Sequence, residues 1–210
     1  MRPLPRVFAV TTDTVCRHPD FGVRAAAIAA AGPAVGIVVR APGSTTAAHA
    51  AFAERVAALA RPPEAAVIIH ARPDLARAVH AQGVQLRTDD LAAADARAVA
   101  GAGWIGVSVH SRAEAQAAIA EGADFLVAGS VYRSPSHPDR PAQGTEWLRG
   151  LCGLGCPVVA IGGVTPARAR EVYHAGAWGA AAISALWDGD DPAGAAMALL
   201  APWLDREADA

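Results

Sequence analysis

The sequence predicts an α/β fold, a single-domain (β/α)8 TIM barrel spanning residues 1–210. Three observations predict it. Short continuous apolar runs recur along the chain, as expected of strands buried on both faces. Ala-rich helical segments separate them one by one, and eight such units favour a closed barrel over an open sheet. From Pro157 to Trp187 (PVVAIGGVTPARAREVYHAGAWGAAAISALW), two successive strands end in small-residue turns. Such turns leave backbone N–H groups bare where helices begin, and these can hold a phosphate. The loops after the last two strands are where barrels of this type place one.

The elements follow in order. Arg6 to Asp13 (RVFAVTTD) is an apolar run ending in polar residues, followed by an Ala-rich helix from Phe21 to Gly32. Ala34 to Arg40 is the second strand. Ser44, a small hydroxyl residue, is the expected N-cap of a helix to Leu59. Ala65 to His70 is the third strand, Asp74 to His80 a short helix, Gly83 to Arg87 the fourth strand and Leu91 to Ala100 a helix. Trp104 to His110 is the fifth strand. Ser111 and Glu114 form a capping-box pair opening a helix to Gly122. Phe125 to Tyr132 is the sixth strand. A polar loop, Arg133 to Gly144 (RSPSHPDRPAQG), leads to a helix around Glu146 to Leu151. Pro157 to Gly163 is the seventh strand, Pro166 to His174 a helix, Gly179 to Ala185 the eighth strand, and Asp191 to Glu207 the closing helix.

Composition narrows the function. A formal charge of −2 and a pI near 6.4, without a basic run, argue against a nucleic-acid partner. Cys16, Cys152 and Cys156 are an odd set with no CxxC, which fits reduced thiols and no metal cage. No signal-like start and no membrane-length apolar run are evident, so a cytoplasmic protein without a membrane partner is expected. All 18 basic residues are arginine. Without lysine there is no Schiff-base chemistry on a lysine, and phosphate must be held by Arg, hydroxyls or backbone.

In such a barrel the reactive groups stand where strands end. These positions hold Thr11, Thr12 and Asp13, Arg40, His70, Asp89 and Asp90, Ser108 and His110, Ser130, Ser134, Ser136 and His137, and then Gly162, Gly163, Ile183 and Ser184. Thr11 to Asp13 either cap the next helix or face the mouth. Asp89–Asp90 either cap the helix from Leu91 or serve the site as well. His70 and His110 are wall residues or acid–base groups, and His137 is a surface or a mouth residue. Arg40 closes an apolar strand, where a charge calls for an anion, and a ligand is favoured over an Asp partner. His18, His49, His80 and His174 fall away from the mouth, and Trp178 and Trp187 are expected to pack.

Several of these stretches, in order and correctly spaced, resemble the thiamine phosphate synthase/TenI family. They are Gly106-Val-Ser-Val-His110 with Glu114, Gly122 to Gly129 (GADFLVAG), Ala160-Ile-Gly-Gly-Val164 and Ala182-Ile-Ser-Ala185. The resemblance starts at Thr11-Thr-Asp13 and spans nearly the whole chain. It implies one of two activities. A synthase joins a pyrimidine diphosphate to a thiazole phosphate and releases pyrophosphate with Mg2+. A TenI-like tautomerase needs no cofactor and aromatises a carboxythiazole phosphate by moving a ring proton.

Matched position by position, the family's Gln-x-Arg-x-Lys reads Val38-Val-Arg-Ala-Pro42, leaving only Arg40. Its Asn-Asp pair reads His70-Ala71. Its second magnesium carboxylate matches Asp90, and its fifth-strand serine matches Ser108. Its Thr-x-Thr-Lys reads Ser134-Pro-Ser-His137. Gly163, Ile183 and Ser184 match the thiazole-phosphate grip. Neutralising a departing pyrophosphate needs metal and cations, and two lysines and a carboxylate are missing. A thiazole tautomerase is the expected activity, with His70 or His137 as the acid–base group and Arg40, Ser108, Ser134, Ser136, Gly163, Ile183 and Ser184 binding substrate. The histidine that TenI-like members carry after the sixth-strand glycine is Ser130 here. The alternatives are a divergent synthase, with Asp90 on the metal, and a non-catalytic phosphate-ligand-binding or regulatory protein. A homo-oligomer is compatible with each.

Overall fold

A computed structural model describes residues 3–61, 64–101, 103–134 and 141–205. Eight parallel strands close into a barrel: β1 (Val7–Val10), β2 (Val35–Val39), β3 (Ala66–His70), β4 (Gly83–Leu86), β5 (Trp104–Val109), β6 (Phe125–Ala128), β7 (Val158–Ala160) and β8 (Gly179–Ala182). Each strand pairs with the next, and β8 returns to β1 through Val7↔Ala180 and its neighbours.

Strand residues alternate between two environments because successive side chains point to opposite faces. One set, including Val7, Ala9, Ile37, Val39, Val67 and Ile69, packs against the helices. The other is a cluster drawn from the strands alone, with Phe8, Val10, Val38, Ile68, Trp104, Phe125 and Val127 among its members. It fills the barrel interior. Size is traded between neighbours there: a Cβ at Gly106 would strike the Phe125 ring, which lies 5.6 Å from Phe8. Below, the Trp178 indole donates to Pro5 O at 3.1 Å under the Arg6 guanidinium, plugging the end opposite the strand C-termini.

The helices around the barrel are α2 (Phe21–Ala29), α3 (Thr46–Ala60), α4 (Pro73–Ala78), α5 (Ala93–Ala100), α6 (Arg112–Ala120), α7 (Gly144–Cys152), α8 (Pro166–His174) and α10 (Pro192–Leu204). Two short ones were not expected: α1 (Asp13–Arg17) and α9 (Ser184–Trp187). Both are too short to show a helical period. In consequence β8 stops at Ala182 rather than Ala185. β6 likewise stops at Ala128, not Tyr132: Val131 and Tyr132 still donate to Ile161 and Gly162, but in the loop above the ladder. The N-cap of α3 is Thr45, whose hydroxyl accepts from Ala48 N, because Ser44 turns instead to Asp13.

Candidate active site

The alternation that builds the interior also builds the site. Continuing the inward phase past the packed layers leads from Val10 to Thr12, from Val38 to Arg40, from Ile68 to His70, from Gly106 to Ser108, and from Ile161 to Gly163. All of these ends line one cavity of about 1070 Å³ at the strand C-termini. Gln85, Arg87, His110, Ser130, Arg133, Ser134, Arg168, Ile183 and Ser184 also line it. Arg40, His70, Ser108, Ser134, Gly163, Ile183 and Ser184 thus all line this cavity. Ser136 and His137 lie outside the described residues.

The wall formed by β7 and β8 offers backbone. Gly162 and Gly163 have φ of +95° and +62°, which favours glycine. A Cβ on Gly162 would stand 2.7 Å from Ser130 Cα, and one on Gly163 would meet the Arg133 carbonyl. The amides of Gly163 and Ser184 donate to no acceptor among the described residues. Convergent bare amides of this kind form an anion nest.

The wall formed by β2, β3 and β4 offers side chains. The Arg40 guanidinium meets no hydrogen-bond acceptor or carboxylate among the described residues, while its backbone is clamped. The fully buried Thr11 hydroxyl accepts from Arg40 N at 2.8 Å and donates to Arg40 O at 3.0 Å. Asp13 accepts from Gly43 N at 3.1 Å and holds Ser44. Of the stretch expected to be either cap or site, Thr12 alone caps α1, and Thr11 and Asp13 brace the loop that carries Arg40.

Burial, then the Arg40 charge, push His70 down to about 4, against a weaker opposing pull from Asp90. The imidazole is therefore neutral near pH 7. His110 is held by its Nδ1 contact to Gly129 O at 2.7 Å and by Glu114, which accepts from its amide at 2.6 Å. The expected capping box is thus half formed, because Ser111 caps Glu114 N but Glu114 reaches His110 rather than Ser111. Gln85 donates to Ser108 Oγ at 3.1 Å and orients it.

Asp90 does not cap α5, whose N-cap is Ala92. Its carboxylate accepts from Arg87 N at 2.8 Å and from Arg87 Nη2 at 2.9 Å. Burial raises its pKa, but the Arg87 hydrogen bonds outweigh this and hold it below the usual carboxylate range. Magnesium takes oxygen ligands, usually one or two carboxylates beside substrate phosphates. Here both Asp90 oxygens are engaged by Arg87, and the β3 end contributes an imidazole and Ala71. No three His, Cys, Asp or Glu residues converge on a metal position among the described residues. This donor set does not fit a magnesium site.

Gln85, Arg87, Arg133 and Arg168 were missed as site residues. Gln85 and Arg87 carry a signal, as polar residues in phase with the interior. Arg168 sits on a polar helix face and gives none.

A family model described as thiamine monophosphate synthase matches residues 7–186. The chain belongs to the thiamine monophosphate synthase/TenI family. Thiamine-phosphate synthase of Halorhodospira halophila is 44% identical over 131 residues, covering 61% of this chain and 63% of that protein. The Geobacillus kaustophilus thiamine-phosphate synthase is 43% identical over 127 residues, covering 59% and 58%. The matched segments therefore span less than two thirds of these curated relatives. The solved thiamine phosphate pyrophosphorylase of Pyrococcus furiosus superposes with a TM-score of 0.80 at 32% identity, covering 95% of this chain and 96% of that one. Among the described residues no helix is long and apolar enough to cross a membrane.

Proposed function

We propose that this family member is an enzyme of thiamine biosynthesis that binds a thiazole phosphate at the barrel mouth and aromatises it as a TenI-like tautomerase. One observation carries the reading. The backbone wall presents bare amides at Gly163 and Ser184, while the opposite wall spends its carboxylate on Arg87. Gly163, Ile183 and Ser184 hold the phosphate. Ser108 and Ser134 line the cavity between the walls, and Ser136, expected with them as a substrate-binding residue, lies outside the described residues. Arg40 takes the substrate carboxylate.

His70 or His137 moves the ring proton. An efficient proton carrier has a pKa near the working pH. His70 starts well below this, but a carboxylate bound at Arg40 offsets one of the charges that depress it and raises its proton affinity. Substrate binding thereby strengthens the base that acts on it. The test is aromatisation of the carboxythiazole phosphate by purified protein, followed by absorbance. Wild type should convert it, and the His70→Ala/His137→Ala double variant should lose at least about a hundredfold in rate. A double variant at wild-type rate removes both histidines from the mechanism.

The names of the curated relatives favour a second reading, a divergent thiamine phosphate synthase, for which the family resemblance implies Mg2+. Magnesium-dependent formation of thiamine phosphate from the pyrimidine diphosphate and thiazole phosphate would establish it. Tight thiazole-phosphate binding without turnover in either assay would point to a regulatory binder.

A further inference from the structure

The nest on β7 and β8 consists of neutral backbone donors, yet a phosphate monoester carries close to two negative charges at neutral pH. The chain has no lysine to balance them. Among the described residues four arginines line the cavity: Arg40, Arg87, Arg133 and Arg168. Arg40 stands on the opposite wall, and Arg87 is paired with Asp90 and Asp89.

Arg168 stands in the first turn of α8, beside the nest. Its Nη1 donates to Gly163 O at 2.8 Å, and its guanidinium carbon lies 4.4 Å from the centre of the Tyr132 ring. That ring is fixed in turn. Its hydroxyl donates to Glu171 Oε2 at 2.8 Å, and burial followed by Glu171 pushes its pKa up to about 12, so it remains a donor. Arg168 forms no salt bridge among the described residues. A cation in the first turn of a helix also opposes the helix dipole. The stacked ring and the carbonyl hold the guanidinium there against that dipole. Of its five N–H donors, one is used on Gly163.

We propose that Arg168 is the cationic arm of the phosphate nest, with Tyr132 and Glu171 as positioning residues that hold it over the Gly163 turn. This rests on the reading of that turn as the phosphate site. Stacking removes much of the rotamer freedom a long exposed side chain would otherwise lose on binding. The phosphate then meets backbone donors and a preplaced guanidinium fork together.

The test is titration calorimetry of wild type, Arg168→Gln and Tyr132→Phe with thiazole phosphate and with the corresponding thiazole alcohol at fixed ionic strength. Arg168→Gln should weaken phosphate binding about tenfold to a hundredfold and leave alcohol binding unchanged. Tyr132→Phe keeps the ring and loses its anchor on Glu171, and should weaken phosphate binding about threefold. Unchanged phosphate binding in Arg168→Gln overturns the role of Arg168 and leaves the nest standing. Equal loss of phosphate and alcohol binding makes Arg168 structural and also overturns it. Wild type binding the alcohol as tightly as the phosphate overturns the nest, and this proposal with it.

Discussion

The two walls of the cavity offer donors of different kinds. On β7 and β8 the donors are amides, and any larger residue at Gly162 or Gly163 would distort the turn after β7. On β2, β3 and β4 they are the side chains of Arg40 and His70, aimed by buried neighbours such as Thr11. A backbone wall persists while its turns persist. A side-chain wall changes its chemistry with each substitution, and His70-Ala71 and the Arg87–Asp90 pair stand on that wall. On the proposed function, the same barrel keeps its phosphate site while the reaction beside it changes.

Breaking the backbone wall should have the largest effect. Gly163→Val places a β-branched residue at φ +62°, with its Cβ 2.9 Å from Tyr132 Cβ. Thiazole-phosphate affinity should fall more than about a hundredfold, at a stability cost of about 1–3 kcal/mol. Calorimetry and urea unfolding measure the two.

Arg40→Gln tests the other wall. The KM for the carboxythiazole phosphate should rise about tenfold to a hundredfold, while binding of the thiazole phosphate without its carboxylate stays within about twofold. Equal losses for both ligands would erase the distinction between the walls. Thr11→Val is a smaller change. It keeps the shape and removes both hydrogen bonds to Arg40, leaving that residue's backbone N–H and carbonyl without their hydroxyl partner. Destabilisation of about 1–3 kcal/mol is expected, with a partial copy of the Arg40→Gln rise in KM. Thr11→Ser should restore both.

The smallest effect concerns acid stability. His70 titrates near 4 when folded, against 6.5 as its ordinary value. The unfolded chain therefore binds this proton first, and stability contributed by the neutral imidazole is lost as pH falls from about 6.5 to about 4. His70→Gln should flatten that part of the acid limb in thermal unfolding scans. Arg40→Gln should raise the His70 pKa seen by NMR.

Much of the barrel was legible because strands buried on both faces must be continuous apolar runs. The same phase carries Arg40, His70 and Ser108 into the mouth. Features decided by distant partners were not legible. Ser44 and Thr45 are adjacent hydroxyls, and Asp13, some thirty residues away, decides which one caps α3. Asp89–Asp90 read as a helix cap or as a site pair as well, but Arg87 draws Asp90 into a tight turn before the helix. Arg168 becomes a site residue only once Tyr132 and Gly163 are seen beside it. The helices α1 and α9 are each about one turn long, and Ile183-Ser-Ala-Leu-Trp187 reads equally well as strand.

One competition assay addresses the division of labour directly. Protein is incubated with carboxythiazole phosphate and the pyrimidine diphosphate, with excess chelator or with magnesium, and aromatised thiazole and released pyrophosphate are both quantified. The expected result is aromatisation at the same rate in both conditions, with no enzyme-dependent pyrophosphate. Pyrophosphate and thiamine phosphate forming only with magnesium, without chelator-resistant aromatisation, would contradict it.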